Sequence, residues 1–175
     1  MVNEQDLPHL RLAVSLAREA LEAGDAPFGS VLVSSEGKVL QADRNRTVTG
    51  SNGDGRPDAT LHPEFTLARW AQLNLGAEER ARSTVYTSGE HCAMCSAAHA
   101  WCGLGRIVYV TSTEQLEGWK ADFGVGAPVA PLSITDVVPR AQVEGPVDGL
   151  DKEVYQLQVE SWTAKGFKSK SKPEA

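Results

Sequence analysis

No apolar stretch in the sequence approaches the twenty or so residues that a membrane-crossing helix needs, so nothing in it predicts a membrane partner. The start, Met1-Val2-Asn3-Glu4-Gln5-Asp6, has neither the basic residues nor the apolar run of a secretory signal. Cysteine is scarce. Cys92, Cys95 and Cys102 are the only three, too few for a disulfide framework, and together these absences predict a reducing, cytoplasmic setting. Positive charge is also short: 17 Lys and Arg face 23 Asp and Glu, a net charge of −6, whereas a polynucleotide partner favours a concentrated basic surface. The exception is the run Lys165-Gly166-Phe167-Lys168-Ser169-Lys170-Ser171-Lys172, which reads as a solvated basic end or as a patch for RNA phosphates. Repeats and low-complexity linkers are missing too. The 175 residues, 41% hydrophobic, therefore predict one domain, 1–175, long enough to bury a proper core.

Against that background, His62-Pro63-Glu64 and, after a gap of twenty-five residues, Glu90-His91-Cys92-Ala93-Met94-Cys95 carry the chemistry. One histidine and a Cys-x-x-Cys supply three ligands for zinc, and Glu64 is an acid the metal does not need, the parts of a zinc deaminase. Three ligands leave a tetrahedral position for water, whose pKa the metal lowers from 15.7 to about 7. Exchanging an amine for oxygen also needs a proton carrier. Glu64 can serve if the backbone brings it beside His62.

Two residues apart within a helix, the pair would point to roughly opposite faces. Pro63 resolves this: proline favours the first helical position and pushes the residue before it out of the helical region. His62 then precedes a helix and Glu64 lies in its first turn. Cys92 and Cys95, spaced i,i+3, share one face at the start of a second helix, where free amides favour thiolates. Both helix starts must meet in space. A redox pair or half a structural zinc site are the other readings of an isolated Cys-x-x-Cys. A rival set of Cys92, Cys95, His99 and Cys102 would stretch along about 15 Å of helix, too far for one ion. Cys102 accordingly reads as a small apolar residue, and His99 as a core or pocket-wall histidine.

At these residues the chain resembles the cytidine deaminase-like superfamily, and within it the branch of guanine deaminases and tRNA adenosine deaminases. Ala26-Pro27-Phe28-Gly29-Ser30-Val31-Leu32-Val33 resembles the first strand of that branch, and Asn45 falls where it carries a base-contacting asparagine. The resemblance covers about residues 7 to 110. It implies His62, Cys92 and Cys95 as zinc ligands, Glu64 as proton shuttle and Asn45 as a contact to the substrate ring. It further implies Phe28 as apolar pocket wall and Asp122 as an acidic substrate contact or else a solvated loop carboxylate; Trp101, near the end of the cysteine helix, reads as a second wall of the same pocket or else a core residue. Homodimerisation, with exchanged C-terminal segments, is also implied. Two residues depart from the pattern: Pro63 stands where alanine or cysteine is usual, and His91 where proline is usual, placing a titratable ring next to the metal.

The remaining sequence alternates helix and strand. Leu7, Leu10, Val14, Ala17 and Leu21 recur at helical spacing before Gly24. Phe28–Val33 and Lys38–Ala42 read as a hairpin around Ser34-Ser35-Glu36-Gly37. A polar loop, 47–60, leads into His62 as a possible pocket rim or a solvated insertion. A helix from Pro63 to about Leu75 follows, ended by Gly76. Thr84–Thr87 and Arg106–Val110 flank the cysteine helix, which Gly103 ends, as a right-handed parallel crossover. Ile134–Val138 reads as the fifth strand, and Leu150 to about Ala164 as a terminal helix before the basic tail. The expected fold is an α/β, three-layer α/β/α sandwich with a five-stranded mixed sheet, its ligand site beyond the strand ends.

The function expected is zinc-dependent hydrolytic deamination of a small aminated heterocycle: a guanine-like or cytosine-like free base, aminotriazine analogues included. The alternative is tRNA adenosine deamination. A non-catalytic zinc-stabilised binding module is the alternative of another class, and Glu64 argues against it because a structural domain has no need of that acid.

Overall fold

The structure, a computed structural model, describes residues 2–51 and 53–170; Asn52 of the polar loop and Ser171 and Lys172 of the basic run lie outside the described residues. Strands β1 (Gly29–Val33), β2 (Val39–Arg44), β3 (Thr84–Gly89), β4 (Arg106–Thr111) and β5 (Val143–Glu144) form one sheet in the order β2-β1-β3-β4-β5. β1 is antiparallel to β2 and β3, whereas β3, β4 and β5 run parallel, so the sheet is mixed. Helices α1 (Leu7–Glu22) and α7 (Leu150–Ala164) cover one face, and α2 (Pro63–Asn74) and α4 (Ala93–Trp101) the other.

Alternation along the strands builds both cores. Val31, Val33, Tyr86, Val108 and Val110 pack with Leu10, Val14, Val154 and Leu157 of α1 and α7. Leu32 and Val85, one residue out of phase, pack with Leu67, Ala68 and Ala71 of α2. β1 is buried on both faces, as a strand covered by helices on each side must be. Gly29 permits the closest approach: a Cβ there would lie 2.4 Å from the carbonyl oxygen of Ala13 in α1. Among the described residues no helix is long and apolar enough to cross a membrane.

One expected strand is a helix. Ile134–Val137 is a short helix, α6, and the fifth strand is Val143–Glu144 instead. The run Ile-Thr-Asp-Val-Val has strand-like composition, but Ser133 and Asp136 form a capping box that commits the backbone to a helical turn: Ser133 Oγ accepts from the Asp136 amide, and Asp136 Oδ2 from the Ser133 amide. Two helices had no counterpart in the sequence reading. They are α3 (Ala77–Arg82), entered through an extended Gly76, and α5 (Thr113–Phe123), capped by Ser112 and Gln115.

Candidate active site

His62 is the residue before α2, with extended backbone, Pro63 is the first helical residue, and Glu64 lies in the first turn. Cys92 holds the equivalent place before α4, and Cys95 follows inside it. The two helix starts meet. His62 Nδ1 is 3.7 Å from both Cys92 Sγ and Cys95 Sγ, and the sulfurs are 3.6 Å apart. Zinc bonds of about 2.3 Å to sulfur and 2.0–2.1 Å to nitrogen, at tetrahedral angles, require ligand atoms about 3.5–3.8 Å apart. The cluster fits the metal. Among the described residues it is the one group of three or more such side chains close enough to share an ion. Cys92 is ready to ligate as a thiolate, its pKa held at about 4 by the Cys95 thiol and then by the His62 ring.

Sheet register places Glu64. Ser30 of β1 and Thr87 of β3 are cross-strand partners on the face that α2 covers. Their hydroxyls lie 3.1 and 3.0 Å from Glu64 Oε1, while Oε2 is 3.5 Å from Cys95 Sγ. Glu64 is only 6% exposed, and burial raises its pKa above the ordinary glutamate value although the nearby His62 opposes this. A carboxyl so placed can both take and give a proton. Ser30 and Thr87 were not found by motif spacing; polar residues inside otherwise apolar strands are the signal they left.

His62, Glu64 and Cys92 open into a cavity of about 560 Å³. Phe28 forms part of its wall, with its ring against Gly89, where a Cβ would come within 3.0 Å. Thr47 and Ala59 reach it from the 47–60 loop, which is thus a pocket rim, pinned by Asp25 through the amides of Val48 and Thr49. The outer wall comes from α5, from loop 127–132 and from Gln158, Ser161 and Trp162 of α7. Spacing could not find these residues, because the fold alone brings them to the metal helices.

Asn45 is buried and lies outside the cavity wall; its Oδ1 accepts from the amide and hydroxyl of Thr47, a wall residue two positions on. Trp101 is a correction. It is 89% exposed and absent from the cavity wall, because α4 buries Cys95, Ser96 and His99 and a residue two beyond His99 turns to the opposite side. Asp122 is another. It sits in the last turn of α5, outside the cavity wall, and accepts a hydrogen bond from Ser169 Oγ at 2.6 Å. Ser169 and Lys170 therefore touch α5, the Lys170 amide donating to the Asp122 carbonyl and Lys170 Nζ to that of Ala121, while Lys165, Lys168 and Lys170 are exposed.

His91 is buried edge-on against His99, with ring centroids 5.4 Å apart, and is not a cavity residue. Burial, and then His99, hold its pKa well below the ordinary histidine value. His99 Nε2 meets the Gly105 carbonyl oxygen at 2.9 Å, and Cys102 packs on the α2 side of the core, so both stand apart from the ligand cluster.

Comparison with known proteins agrees with this geometry. The chain is 32% identical over 115 residues to a probable cytosine deaminase of Schizosaccharomyces pombe, covering 66% of this chain and 65% of that protein. It is 36% identical over 115 residues to a guanine deaminase of Bacillus subtilis, covering 65% and 68%, and 34% identical over 116 residues to a tRNA-specific adenosine deaminase of Agrobacterium fabrum, covering 66% and 70%. The match thus spans about two thirds of the length of each relative. A solved guanine deaminase of Nitrosomonas europaea shares the fold, with a TM-score of 0.66 at 19% identity over 93% of this chain and 86% of that one. The family model for the cytidine and deoxycytidylate deaminase zinc-binding region matches residues 3–111, the stretch that holds every ligand of the cluster and Glu64, and the chain belongs to that zinc-dependent deaminase family.

Proposed function

We propose that the chain hydrolyses the exocyclic amine of a small aminated heterocycle, a guanine-like or cytosine-like free base with aminotriazine analogues in the same class. One observation carries the reading: Glu64 is buried beside the three-ligand cluster with one oxygen held by Ser30 and Thr87 and the other facing the cluster, at the floor of a cavity. Water adds at the ring carbon that bears the amine, the carbon–nitrogen bond breaks, and the products are the ring carbonyl and ammonia. Zinc, when held by His62 Nδ1, Cys92 Sγ and Cys95 Sγ, supplies the positive charge that makes water a usable nucleophile at neutral pH. Glu64 Oε2 takes one proton of the attacking water to a ring nitrogen, and then takes the second proton, from the added hydroxyl, to the departing amine, leaving the ring carbonyl. Phe28 gives the planar ring an apolar face, and Asn45, buried behind the wall residue Thr47, holds Thr47 in place through its Oδ1.

The cavity's enclosure supports a small substrate. Trp162, Gln158 and Ser161 of α7 close over the same space that His62 and Glu64 open into, which supports a single deaminase domain, 1–175. The net charge of −6 argues in the same direction. A homodimer and a reducing cytoplasm, which suits two thiolate ligands, belong to this reading. Ammonia release from a panel of free bases, nucleosides, aminotriazines and tRNA tests it. Release from a free base supports the reading; release from tRNA alone replaces it with tRNA adenosine deamination, and no release from any substrate by zinc-loaded protein points to a binding module.

A further inference from the structure

Glu90 stands two residues before Cys92, and both of its carboxylate oxygens are committed. Oε2 accepts from the Thr113 amide at 2.7 Å, and Oε1 from the Ile134 amide at 2.8 Å. Each donor is the first residue of a helix, α5 and α6, where a backbone amide has no partner inside the helix. A carboxylate at such a place makes charge-assisted bonds that also complement the helix dipole. The Glu90 amide is itself tied to the Thr111 carbonyl at 2.8 Å, so the residue is anchored on the chain that leads from β3 to the metal ligands.

What lies between Thr113 and Ile134 gives this clamp its meaning. That segment contains Leu116, Glu117 and Lys120 of α5 and the loop 127–132, all on the cavity wall together with Thr113 and Glu90 itself, so the amide exchange at Thr113 and Ile134 is what separates a loosened wall from the space the shortened side chain vacates. Residues 126–132 are exposed and have little packing of their own. One side chain thus ties both ends of a wall whose middle is held by Phe123 against Trp162, Trp119 against Tyr155, Gln115 on Asp151 and the bonds from Ser169 and Lys170.

We propose that Glu90 is a positioning residue that fixes the 113–134 wall at a set distance from the metal centre and so determines the size of substrate the cavity accepts. This rests on the reading of that cavity as the substrate site. Glu90→Ala removes both acceptors, and Glu90→Gln leaves one oxygen for one of the two amides. Amide hydrogen exchange, zinc content and ammonia release are measured on the zinc-loaded full chain. In Glu90→Ala, exchange at Thr113 and Ile134 should accelerate while zinc stays at the wild-type level, and the ratio of kcat/KM for a nucleoside to that for its own free base should rise about tenfold, the scale of discrimination that pocket shape provides. Glu90→Gln should fall between. A folded Glu90→Ala with unchanged exchange, or one in which base and nucleoside lose activity in equal proportion, overturns the proposal. Should the wild type use neither base nor nucleoside, the substrate reading fails by itself, and the two amides decide: faster exchange supports the clamp, unchanged exchange removes it. Should Glu90→Ala fail to fold, the same measurements on Glu90→Gln decide.

Discussion

Thr87 Oγ1 lies 3.0 Å from Glu64 Oε1, and Thr87 is fully buried, so a threonine hydroxyl on β3 shares with Ser30 the task of orienting the acid of the site. Thr87→Val keeps the shape and removes the hydroxyl. Ser30 then holds Oε1 alone. Loss of one hydrogen bond to a buried carboxylate costs about 1–3 kcal/mol. Spent on orientation, that should lower kcat for ammonia release by roughly 10-fold or more at unchanged zinc content. Unchanged kcat would mean that Ser30 suffices.

The ligand cluster makes a separable prediction. Cys92→Ala or Cys95→Ala should lose zinc, while Cys102→Ala, whose side chain packs with the α2 core, should retain it. Elemental analysis reads all three. A folded, zinc-free Cys102→Ala protein would sink the assignment.

Glu64→Gln keeps size and hydrogen-bonding capacity but cannot carry a proton. Zinc should stay, and turnover should fall by ~10²–10⁴-fold, the usual span for acid–base catalysis. Near-wild-type turnover with full zinc would remove Glu64 from the mechanism.

Local chemistry explains why this centre was legible in the sequence. Pro63 fixes how His62 and Glu64 enter a helix, and i,i+3 spacing fixes Cys92 and Cys95, so neither depends on distant contacts. Two parallel strands flanking α4 then follow from the handedness of a crossover. The cavity wall was not legible, for the opposite reason: Glu90, Thr113, Ile134 and Trp162 are brought together only by tertiary packing. β-branched composition makes Ile134–Val138 look like a strand, but the Ser133–Asp136 capping box folds it as a helical turn, and the helical phase of α4 turns Trp101 away from the buried face despite its nearness to the metal ligands.

Acid stability should depend on Asp6, the residue before α1. Burial alone would raise its pKa, but hydrogen bonds from Arg106, the Asn3 amide and Tyr86 more than reverse this and hold it at about 2, against 3.8 ordinarily. A depressed carboxyl contributes stability that is fully present above its unfolded pKa and disappears as pH falls through the folded value. The contribution is on the order of 2 kcal/mol at neutral pH, lost between about pH 4 and pH 2. Denaturant unfolding of wild type and Asp6→Asn should therefore differ clearly at pH 6 and converge towards pH 2.5. A constant difference across that range would show that Asp6 acts by packing and not by charge.

The C-terminal residues give the last prediction, and the structure changes its sign. A solvated tail could be deleted without effect on a small substrate, yet Ser169 Oγ and the Lys170 amide and Nζ bind the last turn of α5, whose Leu116, Glu117 and Lys120 face the cavity. Deleting 168–175 removes those bonds and retains Trp162 and Phe167. Each is worth about 0.5–1.5 kcal/mol, enough to loosen the C-terminal turn of α5 without unfolding the chain. The truncation should raise KM for a free base by roughly 3–10-fold while leaving zinc content and most of kcat intact, since Glu64 and the ligands belong to other elements. Added monovalent salt separates this from an RNA-binding role: a base-sized substrate should respond little, whereas contacts with a phosphate backbone weaken steeply as counterions compete. An unchanged KM for the base, with salt-sensitive activity on tRNA that the truncation abolishes, would instead make the tail a nucleic-acid contact and α5 a wall that needs no support from it.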